Sequence, residues 1–129
     1  MQLWSGIVTD KVQQSKDFYV RLFNAQVLYE GEGGWFVLLQ IGNTELGFML
    51  PDQPSQAAIF RQPFQGHGMW LTIEVENVQA YYEQMLAQQQ PIVQALKDEP
   101  WGDRHFVIAD PNGIGVDVVQ RIQPDCVQP

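Results

Sequence analysis

Apolar residues recur along this chain with two periods, and the changes between them mark its elements. Leu3–Val8 is short and rich in β-branched and aromatic residues, which predicts a strand. Val12, Ser15, Phe18, Tyr19 and Leu22 then recur at helical spacing, giving one face to bury. Asp10 stands where an N-cap belongs, and Gln13 three residues on completes a capping-box pattern. The helix is expected to end near Phe23-Asn24. Gln26–Tyr29 predicts a strand, Gly31-Glu32-Gly33-Gly34 a turn, and Trp35–Ile41 a strongly apolar strand. Gly42-Asn43 is a hairpin turn, and Thr44–Leu50 runs back. The first half therefore reads β-α-β-β-β.

From residue 51 to 66 the pattern disappears. Pro51, Pro54 and Pro63 interrupt a polar segment, which reads as a linker between a first module over 1–50 and a second over 67–121, with a tail over 122–129. The periods then return in the same order. Met69–Val75 predicts a strand. Asn77 caps a helix that carries Val78, Tyr81, Tyr82, Met85 and Leu86, and that helix stops before Pro91. Ile92–Leu96, Arg104–Ala109 and Ile114–Val119 predict three more strands, the last two joined by the turn Asp110-Pro111-Asn112-Gly113. Trp4, Ile7, Val12 and Gln13 match Trp70, Ile73, Val78 and Gln79 at a constant separation of 66. Together with the repeated element order, this offset predicts an α+β fold of two duplicated modules.

Composition narrows the function without naming it. The 129 residues suffice for one domain with a sizeable core, and 45% hydrophobic with 17% charged residues fits a folded chain. No apolar run approaches a membrane span, and the N-terminus lacks a basic segment followed by an apolar core. Cys126 is the single cysteine, which excludes an internal disulfide and a Cys-rich zinc cluster and is expected of a reducing cytoplasm. The net charge of −8 disfavours nucleic acid, because seven Lys and Arg form no basic stripe. That charge favours either simple solubility or attraction for small cations.

Asp17-Phe18-Tyr19 on the first helix, the segment Trp70–Asn77 opening the second module, and Asp110-Pro111-Asn112-Gly113 resemble the vicinal oxygen chelate superfamily. That group holds glyoxalases, extradiol dioxygenases, and fosfomycin and bleomycin resistance proteins. The resemblance implies curved, half-open mixed sheets whose modules enclose a cavity, commonly in a homodimer. In metal-dependent members, four inward side chains on the first and fourth strands of the two modules hold a divalent ion. The corresponding positions here are Trp4 (Ser5 if the register slips), Glu45 or Gly47, Trp70 and Asp117. Tryptophan cannot ligate a cation. Glu45, His67, His105 and Asp117 have the right chemistry for a displaced metal set, although His67 falls three residues before the expected place.

The metal-free bleomycin resistance proteins are similar in size, acidity and in a loop like Glu99-Pro100-Trp101-Gly102. This likeness implies sequestration of a small organic ligand, without a cofactor, at Trp4, Trp35, Gly47, Trp70, Trp101, His105 and Asp117. Aromatic faces attract a planar cation by about 0.5–2 kcal/mol each, and Gly47 leaves space in the concave wall. Asp117 could instead pair with Arg104, as strand parity decides, and Asp110 is expected to cap its turn. Three functions stay open: a metal-independent binding protein, a metal-dependent enzyme of the glyoxalase or dioxygenase type, and a non-catalytic interaction module. As an enzyme it would be a lyase or dioxygenase, and the residues lean away from one. A carboxylate–imidazole pair such as Asp117 with His105 suggests acid–base work.

Overall fold

The computed structural model describes residues 1–124, so Cys126 lies outside the described residues. The chain divides into two compact units, with the boundary between His67 and Gly68. Each unit has the order strand, helix, three strands. The first contains β1 (Ser5–Val8), α1 (Val12–Phe23), β2 (Gln26–Glu30), β3 (Phe36–Ile41) and β4 (Thr44–Met49). The second contains β5 (Trp70–Glu74), α2 (Val78–Ala87), β6 (Gln94–Asp98), β7 (Asp103–Ala109) and β8 (Gly115–Arg121). The helices start 66 residues apart, at the separation seen in the sequence.

In the first unit the sheet order is β1-β4-β3-β2, and in the second it is β5-β8-β7-β6. Each module's first strand lies parallel to its last, and the remaining pairs are antiparallel. This is the mixed sheet that the family resemblance implies. A parallel pair needs a crossover, and the helix supplies it.

The helices decide which face of each sheet is the core. Along β3 and β4, Val37, Leu39 and Phe48 are fully buried under α1, and the Tyr19 ring stacks on Phe48 at 5.6 Å between centroids. In the second unit Phe106, Ile108, Val116 and Val118 are fully buried, and Tyr82 of α2 meets Phe106 at 5.1 Å. Successive side chains on a strand point to opposite faces. The alternate residues of β3, β4, β7 and β8 therefore line a second face, which the helix does not cover. We call this the open face.

The expected caps divide. Asn77 caps α2, its Oδ1 accepting the Ala80 N–H at 3.1 Å. Asp10 does not cap α1. The N-cap is Lys11, with no side-chain cap, while Thr9 Oγ1 accepts the Lys11 N–H at 3.0 Å. The helix begins one residue later than the capping-box pattern requires, and Gln13 instead donates to Glu30 on β2 at 3.2 Å. The other end is as expected, with Asn24 in the left-handed region at φ 55°. The strand boundaries move by one or two residues, most at β6, which runs from Gln94 to Asp98, while β1 starts at Ser5 and leaves Trp4 just ahead of it.

The proline-rich segment from 51 to 66 is ordered by its own side chains. Arg61 donates to the carbonyls of Gln56 and Pro54, and Gln56 Nε2 donates to the Leu50 carbonyl at 2.9 Å. The Phe64 N–H donates to the Val8 carbonyl at 2.8 Å, which ties the segment to β1.

Candidate functional site

The strand register gives the two open faces equivalent positions. Gly6 lies beside Gly47 in the first sheet, and Thr72 lies beside Asp117 in the second. Across the hairpin, Leu38 pairs with Gly47 and Val107 with Asp117. Gly47 and Asp117 thus hold equivalent positions. Phe36, opposite Met49, is likewise equivalent to His105, opposite Val119. The same place in the fold is aromatic in one unit and ionic in the other.

In the first unit, Gly47 permits a close approach. A Cβ there would lie 3.2 Å from the Trp4 ring and 3.4 Å from the Phe36 ring. The space predicted at Gly47 is therefore taken by this chain's own aromatics. Phe36 also meets Trp35 at 5.3 Å and Tyr29 at 6.0 Å between centroids, and Trp35 packs its indole against Gly31. Trp4, Tyr29, Trp35 and Phe36 form one aromatic cluster, from which Trp4 stays 43% exposed. Alanine at Gly47 should displace the Trp4 ring by a few tenths of an ångström, with a cost of about 1–2 kcal/mol. The expected readout is a shifted tryptophan emission with a modestly lower urea midpoint; unchanged emission would place Trp4 away from Gly47.

In the second unit, Trp70 is 71% exposed, and its indole N–H donates to Thr72 Oγ1 at 2.9 Å. The ring is thereby held on the strand face that carries Thr72 and Asp117. Trp101 is also exposed, and it donates to Asp103 Oδ2 at 3.0 Å. The Pro-Trp-Gly loop around it depends on Gly102, at φ 108°, where a side chain would meet the Ile122 carbonyl and Pro124.

His105 is the centre of the ionic face. It is only 8% exposed, and its two ring nitrogens face two carboxylates, Nδ1 to Asp117 Oδ1 at 2.7 Å and Nε2 to Glu99 Oε2 at 2.9 Å. Lys97 Nζ joins Glu99 Oε2 at 3.1 Å. Burial acts to lower the His105 pKa, but the hydrogen bonds and charges of Glu99 and Asp117 outweigh it and hold the imidazole above its ordinary value. The same hydrogen bond from His105, with Lys97 assisting, holds the Glu99 carboxyl below its ordinary value. Gln94 Nε2 lies 3.4 Å from His105 Nε2; the opposite amide orientation would present an acceptor to a protonated ring.

Strand parity settles the partner of Asp117. Arg104 points to the opposite face of β7 and makes a two-pronged bond to Asp98, at 2.7 and 3.1 Å. The alternative pairing of Asp117 with Arg104 is therefore excluded. Asp110 caps its turn, with Oδ1 accepting the N–H groups of Asn112 at 2.8 Å and Ile114 at 3.0 Å.

A divalent ion at the four register positions would need lone pairs from Trp4, Gly47 or Glu45, Trp70 and Asp117. The two tryptophans and Gly47 offer none, so the residues present do not fit it. Of the displaced set, Glu45 and His67 belong to the first unit, while His105 and Asp117 belong to the second and are bonded to each other. Among the described residues no three His, Cys, Asp or Glu side chains group to hold a metal.

In the sequence Glu99 figures only as part of a loop, and Thr72, Tyr29 and Phe36 do not stand out. Glu99 comes to the ring because its N–H donates to the Asp103 carbonyl at 2.7 Å, folding the loop back over the hairpin. The period-2 parity of Phe36, His105 and Asp117 was the signal available, once the helix-covered face was known.

Two mixed sheets, each with one helix across its crossover, define a protein of the glyoxalase-like α+β class. The chain belongs to the Glyoxalase/Bleomycin resistance protein/Dioxygenase superfamily, whose model matches residues 3–118. It is 31% identical over 113 residues to the uncharacterized protein Mb0911c of Mycobacterium bovis, covering 83% of this chain and 74% of that one. Among solved structures it resembles lactoylglutathione lyase from Agrobacterium tumefaciens, with TM-score 0.75, 21% identity and 92% of each chain covered. It also resembles TnmS3, an antibiotic binding protein from Streptomyces sp. CB03234, with TM-score 0.65, 24% identity and 94% of each chain covered. Among the described residues no helix is long and apolar enough to cross a membrane.

Proposed function

We propose that this protein binds and sequesters a small planar organic cation, without a metal ion, on the open faces of its sheets. The observation that carries the reading is Trp70. A large aromatic ring lies 71% exposed on a sheet face, its only polar group already bonded to Thr72, next to Asp117. Such a ring has no core to fill and offers a π-face for stacking, while Asp117 supplies negative charge beside it. The aromatic cluster around Gly47 offers the same chemistry in the first unit. The excess of 15 acidic over 7 basic residues raises the local concentration of a cation. The antibiotic-binding relative TnmS3 supports the reading through its fold.

Ethidium, a planar cation, is a suitable probe. It should quench tryptophan emission saturably, and Trp70→Ala should weaken its binding about tenfold, equivalent to about 1.4 kcal/mol of stacking. Because Trp70 is exposed, this variant should keep its unfolding midpoint. Failure of ethidium to quench the wild-type protein, or equal affinity in Trp70→Ala, would sink the proposal.

A further inference from the structure

The second unit's open face holds more than a stacking surface. A nearly buried imidazole lies between two carboxylates, and its equivalent in the first unit is Phe36. A ring that donates to both carboxylates is an imidazolium, and the raised His105 pKa agrees with that form. Each carboxylate uses one oxygen on it. Asp117 Oδ2 and Glu99 Oε1 make no hydrogen bond among the described residues. The Glu99 and Asp117 side chains stay 13% and 27% exposed.

We propose that His105 is a positioning residue: a fixed cation that holds the Glu99 and Asp117 carboxylates on the open face, and so sets this face to take a ligand's cationic N–H donor. The proposal rests on the binding reading above, and it moves His105 from ligand contact to the support behind the contacts. Its two ring nitrogens are already occupied, so a ligand meets the carboxylate oxygens.

Lys97 shares this role at Glu99, whereas among the described residues His105 alone joins Glu99 to Asp117. From β6, Lys97 reaches Glu99 from the outer side, with its own side chain 53% exposed. Asp98 is bonded to Arg104, and Arg121 of β8 to Glu74 of β5 at 2.8 Å. Asp103 accepts from Trp101. On the helix side Phe106 and Val118 are apolar and fully buried. Protonated, the ring leaves itself, Glu99 and Asp117 at one net negative charge, which Lys97 offsets on the Glu99 side.

Nitrogen and carbon NMR titrations test this directly. Both His105 ring nitrogens should carry protons at neutral pH, and the ring should titrate above a histidine in an unstructured peptide. In His105→Gln, which keeps bulk without charge, the Glu99 carboxyl midpoint should rise, and the acid limb of ethidium binding should move up with it. A role in packing alone would leave that midpoint in place. If His105→Gln does not fold, Asp117→Asn serves instead, and the His105 midpoint should fall. A ring with one protonated nitrogen at neutral pH, or an unmoved midpoint in the variant that folds, overturns the proposal. Absence of ethidium binding by the wild-type protein would remove the binding reading separately, while the NMR midpoints still judge His105.

Discussion

Replacing Phe106 with alanine should remove about 3–5 kcal/mol of stability, the largest loss expected of a single side chain in the second unit. Phe106 sits on β7, an inner strand in the order β5-β8-β7-β6, and is fully buried against Tyr82 of α2. Its cross-strand partner is Val118, also fully buried. The neighbours are fixed by two strands and a helix, so the vacated volume would close only in part, and the cavity adds to the lost transfer free energy. The urea midpoint should fall with little change of slope. Trp70 and Trp101 report on this unit, which matters because two compact units need not unfold together. A loss under about 1 kcal/mol would mean that α2 collapses onto the sheet and that the helix-covered face is not close-packed.

The adjacent residue should behave differently. His105→Gln should cost about 2 kcal/mol at neutral pH, between the values for exposed and buried ion pairs, and it should change the shape of the pH profile. The His105 pKa is raised in the folded state. Folding is therefore favoured at pH values where the ring is charged in both states or in the folded state alone. This contribution is complete below the ordinary histidine value and disappears as pH rises through the folded one. The Glu99 pKa is lowered. Its contribution is present above the ordinary glutamate value and disappears as pH falls through the folded one. Wild-type stability should thus form a plateau bounded on the acid side by Glu99 and on the alkaline side by His105. In His105→Gln the alkaline edge should vanish and the acid edge should move up. A variant profile parallel to the wild type would show that the trio adds nothing to stability through its charges.

Much of the fold is legible in the residues, for a simple reason. Helix and strand periods are properties of short windows, and burial of one face forces them to appear. The offset that matches Trp4 to Trp70 and Val12 to Val78 predicted the duplication, and both helices begin on it. Local hydrogen-bond chemistry was less secure. Asn77 caps as expected, whereas Asp10 loses its place to Lys11 because Thr9 takes the Lys11 N–H. A capping motif shows which residues could cap, and the path of the preceding strand decides which one does.

The candidate site was legible only in its raw materials. Trp4, Trp70, His105 and Asp117 stand out as residue types, and the family register assigns three of them to strand positions. Their relations to one another came from pairing. Gly47 looked like empty space, but the register and the Trp4 ring fill it. Arg104 and His105 are neighbours in the chain, yet one faces Asp98 and the other Asp117. Glu99 is separated from His105 by a loop of which the sequence showed the composition but not the closure.

What the sequence determined by itself is therefore the two β-α-β-β-β modules, their order, and the absence of ligand-forming side chains at Trp4 and Trp70. These follow from periodicity and from what an indole can do chemically. The tertiary structure alone decided which face of each sheet the helix covers, and thus that equivalent places hold an aromatic cluster around Gly47 and an imidazole between Glu99 and Asp117. That difference depends on pairing between strands distant in sequence, and a single-residue slip would turn each of those side chains to the opposite face.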